Sequence, residues 1–221
     1  ALGGLQQRQG LRRDPRPLIG EPQKPELLQP TLACAARAAA GAGDARKPNV
    51  IFLFADDQRA DTIGAHGNPH IRTPHLDRMA KEGRKLTGFY AAPVCSPSRA
   101  ALMTGCYPKR ALPIPHVLFP ENDHGLSPDE VTIAEVLKSK GYATGIVGKW
   151  HLGDSFQPQK GFSHWYVYPC GGGAYLDARM IRDGAYHQVP GYLTDDITDN
   201  AIGFVEASSG DDSPFYLSLH Y

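Results

Sequence analysis

Long apolar runs are missing from this chain: no stretch approaches the roughly 20 residues that a membrane-crossing helix requires, so no integral membrane segment is expected. An excess of charge of either sign is missing too. Lys plus Arg and Asp plus Glu number 23 each. No basic run offers the footprint that nucleic acid needs, and an anionic substrate would have to be held by a local site. Cysteine is scarce, with four residues, Cys34, Cys95, Cys106 and Cys170, and none in a CxxC pair. That excludes a disulfide-dense scaffold and a zinc knuckle, leaving one disulfide or none. What is present is a chain of 221 residues, enough for one sizeable domain or part of a larger one.

Residues 1–47 carry Arg and Pro at intervals and end in "TLACAARAAAGAGDARKP", which has no hydrophobic period. Small residues in "ARAAAGAG" resemble a cleavage region, but Gln29, Pro30 and Arg37 interrupt any apolar core of a signal. A disordered leader or degraded export signal is expected here, followed by one catalytic portion over 48–221.

Order begins at "NVIFLFADD". Its unbroken apolar run over residues 50–55 suits a central parallel strand covered on both faces. "RTPHLDRMAKEG" predicts a helix with Thr73 as N-cap, Pro74 in the first turn and Gly83 at its end. A short strand is expected over 85–90, then a helix opening near Ser96 and stopping at Gly105. Further on, "SPDEVTIAEVLKSKG" reads as a helix, "YATGIVG" as a strand running into "KWHLG", "TDDITDNAIGFVEASSG" as an amphipathic helix and "PFYLSLHY" as an apolar strand. Residues 152–193 break into Gly, Pro and aromatics, with a hairpin turning at Asp183 and Gly184. Alternation of strand and helix predicts an α/β domain with a mostly parallel central sheet flanked by helices.

Ligands of open α/β sheets lie at the carboxyl ends of the strands, and three groups fall there. Asp56 and Asp57 follow the first strand. Adjacent carboxylates repel unless a cation neutralises them, and oxygen-only ligation suits calcium or magnesium; a solvated turn is the plainer alternative. Cys95 opens a helix with Arg99 one turn along, a setting for a reactive thiolate or for an inert buried thiol with Ser96 as cap. Lys149 and His151 are two residues apart at a strand end, so in an extended segment both would face one site, where they suit an anionic substrate and a proton transfer. Isolated Lys and His are otherwise ordinary surface residues. His66, His70 and His75 lie within ten residues but have no cysteine or carboxylate at ligand spacing, which disfavours zinc.

Taken together, "CSPSRAALMTG", "NVIFLFADD", "GNPHIRTPHLDRMAKEG" and "GYATGIVGKWHLG" closely resemble the sulfatase family of the alkaline-phosphatase superfamily, in order, from Asn49 to the last residue. The resemblance implies that Cys95 is oxidised by a formylglycine-generating enzyme to an aldehyde, with the flanking "xPSR" forming part of what that enzyme reads. The aldehyde hydrates to a diol, of which one oxygen attacks sulfur and the other hydroxyl later expels sulfate. It further implies that Asp56 and Asp57 ligate Ca2+, with Mg2+ possible, together with the modified Cys95. Arg99 would hold the modified side chain, Lys149 would contact the sulfate, and His151 would take the proton of the diol. The implied substrate is a sulfated small molecule or carbohydrate, the latter by similarity of "ADDQRADTIG" and "GGGAYLDARMIRDG" to polysaccharide-type sulfatases. The implied location is periplasmic or secreted.

Sulfatases are longer than this chain, and two further metal ligands, a second lysine and a sulfate-contacting histidine fall in the family beyond the equivalent of residue 221. A chain truncated at the C-terminus is therefore expected, and the histidine's role is not carried to His220. Cys106 stands where relatives often have arginine. A phosphoester hydrolase of the same superfamily and an inactive fragment are the alternatives.

Overall fold

A computed structural model describes residues 46–221 except 115, 119–123 and 211–212. All but the last two residues of the expected leader lie outside the described residues.

The chain order is β1 (Val50–Phe54), α1 (Pro74–Glu82), α2 (Cys95–Thr104), α3 (Pro108–Ala111), α4 (Ile133–Ser139), β2 (Ala143–Lys149), β3 (His164–Tyr168), β4 (Arg179–Arg182), β5 (Ala185–Gln188), α5 (Leu193–Ser209) and β6 (Phe215–His220). These strands form one sheet in the order β1-β6-β2-β3-β4-β5. The pairs β1 with β6, β6 with β2 and β2 with β3 are parallel; β3 with β4 and β4 with β5 are antiparallel. The expected α/β class with a mostly parallel sheet is what the chain forms.

Strand alternation divides the core into two layers. Ile146, Trp165, Val167, Ile181 and Tyr216 pack with Ala100 and Met103 of α2 and Ala134 of α4 on one face. Val147, Tyr166, Met180, Leu217 and Leu219 pack against Ile197, Ala201 and Phe204 of α5 on the other. Thr132 and Glu135 start α4 with a reciprocal capping box. At the β4–β5 hairpin, Asp183 (φ 50°) and Gly184 (φ 76°) both adopt the left-handed backbone of a two-residue type I′ turn, as expected.

Four expectations are corrected. β1 is not central: it edges the sheet, and Ile51 and Leu53 remain 50% and 46% exposed. The reason is coverage. Val50 and Phe52 face the α2 side, whereas α5 lies over β2 and β6 and no described element covers the other face of β1. β6, by comparison, is buried along its whole length. Residues 85–90 form no strand; Leu86, Phe89 and Tyr90 are exposed and pair with no described strand. β3, in contrast, arises within the stretch read as irregular, because Trp165, Tyr166 and Val167 each find a core layer. Thr73 stands at the N-cap position of α1, but its hydroxyl bonds Asp77 Oδ1 and the Gly64 N–H rather than capping the helix.

Candidate active site

The carboxyl ends of three neighbouring strands, β1, β6 and β2, meet the first turn of α2. Beyond β1, the Tyr221 N–H donates to Phe54 O (2.9 Å) and the Asp56 N–H to Tyr221 O (3.1 Å), which extends the ladder and fixes where Asp56 emerges. Lys149 is the last residue of β2 and His220 the last of β6. The two strands approach closely because Gly148 has no side chain: a Cβ there would lie 1.7 Å from His220 O.

Arg99, fully buried, joins these ends. Its Nη2 donates to Asp56 Oδ2 at 2.6 Å, and its Nη1 donates to Lys149 O (2.7 Å) and His220 Nδ1 (2.6 Å). Because guanidinium only donates, His220 Nδ1 accepts and its Nε2 carries the proton toward Ser218 Oγ, 2.7 Å away. Lys149 O also lies 2.7 Å from Nδ1, so the two acceptors share the Nη1 group. The guanidinium carbon sits 5.0 Å from the Phe54 ring centroid, an aromatic face that accommodates charge without consuming its N–H groups. Burial, followed by the Arg99 charge, lowers the His220 pKa to about 3, so the ring is neutral.

Lys149 Nζ lies 2.9 Å from the same Asp56 Oδ2. Burial pushes the Asp56 carboxyl up, but hydrogen bonds from Lys149 and Arg99 outweigh it and hold the pKa below its ordinary value. Asp56 Oδ1 faces Cys95 Sγ at 4.0 Å, at the limit of a thiol contact. Cys95, Asp56, Arg99 and Lys149 therefore form one cluster.

His151 arrives differently from the sequence expectation. β2 ends at Lys149, and His151 takes a left-handed backbone (φ 54°), so strand alternation does not aim its ring. Instead Ser96, buried, donates from Oγ to His151 O (2.9 Å) and accepts the Leu118 N–H (3.0 Å). The ring Nε2 must donate to Leu118 O (2.8 Å), leaving the buried Nδ1 as an unprotonated nitrogen with no partner among the described residues. Gly171 packs against this ring; a Cβ on it would lie 2.3 Å from Cε1. Burial, then the Lys149 charge, brings the His151 pKa down to about 4.

Asp57 is exposed and makes no hydrogen bond or ion pair with a described residue. Among the described residues no group of three or more His, Cys, Asp or Glu side chains is assembled for a metal. Asp57 and Asp56 Oδ1 nonetheless present hard oxygen donors at one strand end, a donor type that fits calcium or magnesium as part of a ligand set. Three non-glycine residues with positive φ flank the cluster: Asp57 (50°), Val94 (56°) and His151 (54°). Such backbone is costly, most of all for β-branched Val94, and persists where surrounding structure dictates it.

The family model for Sulfatase matches residues 48–221. The chain belongs to the sulfatase family. It is 47% identical over 144 residues to rat (Rattus norvegicus) steryl-sulfatase, covering 62% of this chain and 24% of the relative. It is 36% identical over 226 residues to rat N-acetylgalactosamine-6-sulfatase, covering 87% of this chain and 42% of the relative. The chain thus spans less than half the length of these curated relatives. The structure of Ps i-CgsB in complex with k-i-k-neocarrahexaose superposes with a TM-score of 0.70 at 30% identity, over 79% of this chain and 45% of that one. A structure solved with its substrate, D-glucosamine-2-N,6-O-disulfate, has a TM-score of 0.67 at 33% identity, over 79% and 34% of the two chains. Asp56, Cys95, Arg99 and Lys149, from three of the four motifs that resemble the family, meet at the carboxyl ends of the strands.

Sequence reading missed Ser96 as a tie between α2, His151 and Leu118, and missed His220 as a support of Arg99. The available signal was Ser218 and His220, polar residues on one face of an otherwise apolar strand.

Proposed function

We propose that this protein is a sulfuric ester hydrolase that cleaves sulfate monoesters on sulfated carbohydrate, with residue 95 acting as formylglycine made from Cys95. The carrying observation is the convergence of Cys95, Asp56, Arg99 and Lys149 at adjacent strand ends within the matched family segment. N-acetylgalactosamine-6-sulfatase, the relative sharing the larger part of this chain, and the two sugar-bound structures support carbohydrate over steroid.

As a hydrated aldehyde, residue 95 would supply an oxygen nucleophile and a second hydroxyl for release of sulfate. A divalent cation, calcium or magnesium, held in part by Asp56 and Asp57 would supply Lewis-acid stabilisation of charge. Arg99 holds Asp56 in place and brings positive charge under residue 95. Lys149, a flexible ammonium with only one carboxylate oxygen engaged, binds the anionic ester. His151 Nδ1 accepts a proton. Burial and then the Lys149 charge depress its basicity, and an anion bound at that lysine would offset the second of these. Ser96, Pro97 and Arg99 are buried, so the formylglycine-generating enzyme would read this segment before the chain closes over it.

The test is kinetics of the full-length protein on matched aryl sulfate and aryl phosphate. The expected result is a higher kcat/KM on sulfate; faster phosphate turnover would instead assign the protein to the phosphoester branch of the superfamily.

A further inference from the structure

A cleft of about 790 Å3 opens beside His151, between the segment after β2 and the β4–β5 hairpin. That volume lies within the range of ligand sites of roughly 300–1,000 Å3 and accommodates more than one sugar ring. His124, Asp154, Gln159, Arg179 and Tyr186 contribute polar groups to its wall.

One end of the cleft is built around a cation. In the β4–β5 ladder Arg179 faces Gln188 and Ile181 faces Tyr186, so Arg179 and Tyr186 are diagonal neighbours on one face. The Arg179 guanidinium carbon lies 4.8 Å from the Tyr186 centroid, and Phe156 meets that ring edge-to-face at 5.2 Å. The hairpin is anchored at its base by Gln188 Nε2, which donates to Asp177 O at 2.6 Å and Ala178 O at 3.1 Å. Stacking orients the guanidinium plane without using its N–H groups, and Arg179 makes no hydrogen bond or ion pair with a described residue. The acidic group in the wall, Asp154, uses Oδ1 to accept the Phe156 N–H at 3.0 Å. Arg179 is thus an exposed, oriented bidentate donor with no described counter-ion, sharing a cleft with His151.

We propose that this cleft takes the sugar that carries the scissile ester and that Arg179 grips a second anionic group on it, a carboxylate or a further sulfate. The substrate is then a polyanionic saccharide rather than a neutral sugar bearing one sulfate. This inference rests on the sulfate-ester reading, and Arg179 and its Tyr186 plate set specificity without touching the reacting atoms. A carboxylate, or two oxygens of a sulfate, suits the fork of guanidinium N–H donors, whereas a neutral hydroxyl leaves its charge uncompensated.

The test uses the full-length protein with Arg179→Ala and Arg179→Lys. Competing substrates are a monosulfated neutral disaccharide, a monosulfated disaccharide containing a uronate, and a disulfated disaccharide. Arg179→Ala is expected to lower the preference in kcat/KM for one or both dianionic substrates over the neutral one by about ten- to a hundredfold, with Arg179→Lys intermediate. The uronate and disulfate arms distinguish carboxylate from sulfate. An unchanged preference would overturn the proposal. Calorimetric binding of the same disaccharides to Cys95→Ala, with and without Arg179→Ala, separates the two readings. Preferential dianion binding that depends on Arg179 supports the cleft even where wild-type protein hydrolyses no sulfate ester; equal binding of all three sugars overturns it.

Discussion

Arg99 Nη1 and His220 Nδ1, from residues 121 positions apart, meet at 2.6 Å with both side chains buried. The neutral imidazole accepts from the guanidinium on one side while Asp56 accepts from it on the other. Aim and charge of the cluster thus depend on a residue that touches no exposed surface. His220→Ala removes an acceptor from a buried cation and is expected to cost about 1–3 kcal/mol in denaturant unfolding. His220→Asn, whose Oδ1 can replace Nδ1, is expected to retain much of that stability.

Breaking the other side costs more per atom removed but acts on a group that water partly reaches. Asp56→Asn leaves the positive charges of Arg99 and Lys149 facing a neutral amide. Loss at or below the roughly 3–5 kcal/mol of a broken buried pair is expected, because Asp56 is 23% exposed. Chemical denaturation of the two proteins side by side measures it.

Acid should destabilise the fold through its neutral histidines. Both His151 and His220 have folded pKa values below the ordinary 6.5, at about 4 and about 3. Above pH 6.5 neither folded nor unfolded chain carries these protons, and the stability is complete. As pH falls below 6.5 the unfolded chain takes up protons that the folded chain refuses, and stability declines down to the folded values. Thermal melting from pH 7 to pH 4 should show this slope, and His220→Asn should flatten it.

Gly171 tests whether the position of His151 matters. A methyl group added there meets Cε1 at 2.3 Å and must push the ring or the 171 backbone away. Gly171→Ala is expected to cost about 1–3 kcal/mol from overpacking and up to about a hundredfold in kcat/KM from displacement of a proton-transfer group. A steady-state assay with an aryl sulfate reads the second effect.

Much of the site was legible because its residues sit at element boundaries with strong local signals. Asp56 and Asp57 close an apolar run, Cys95 begins a helix that Gly105 stops in a left-handed C-cap, and Asp183 with Gly184 marks a two-residue turn. What escaped depends on tertiary partners. "VIFLF" reads as a doubly covered strand because all five side chains are apolar, yet coverage is decided by where α5 lies. β3 is hidden among glycines and prolines, and its strand state comes from pairing with β2 and β4. The bond from Ser96 to His151 O joins residues 55 apart, a relation that no local pattern encodes.

Mass spectrometry of the peptide containing residue 95, from a preparation that hydrolyses aryl sulfate, tests the central claim most directly. Loss of sulfur and two hydrogens with gain of one oxygen at Cys95 is the expected result. An unmodified thiol at Cys95 in a fully active preparation would contradict the account.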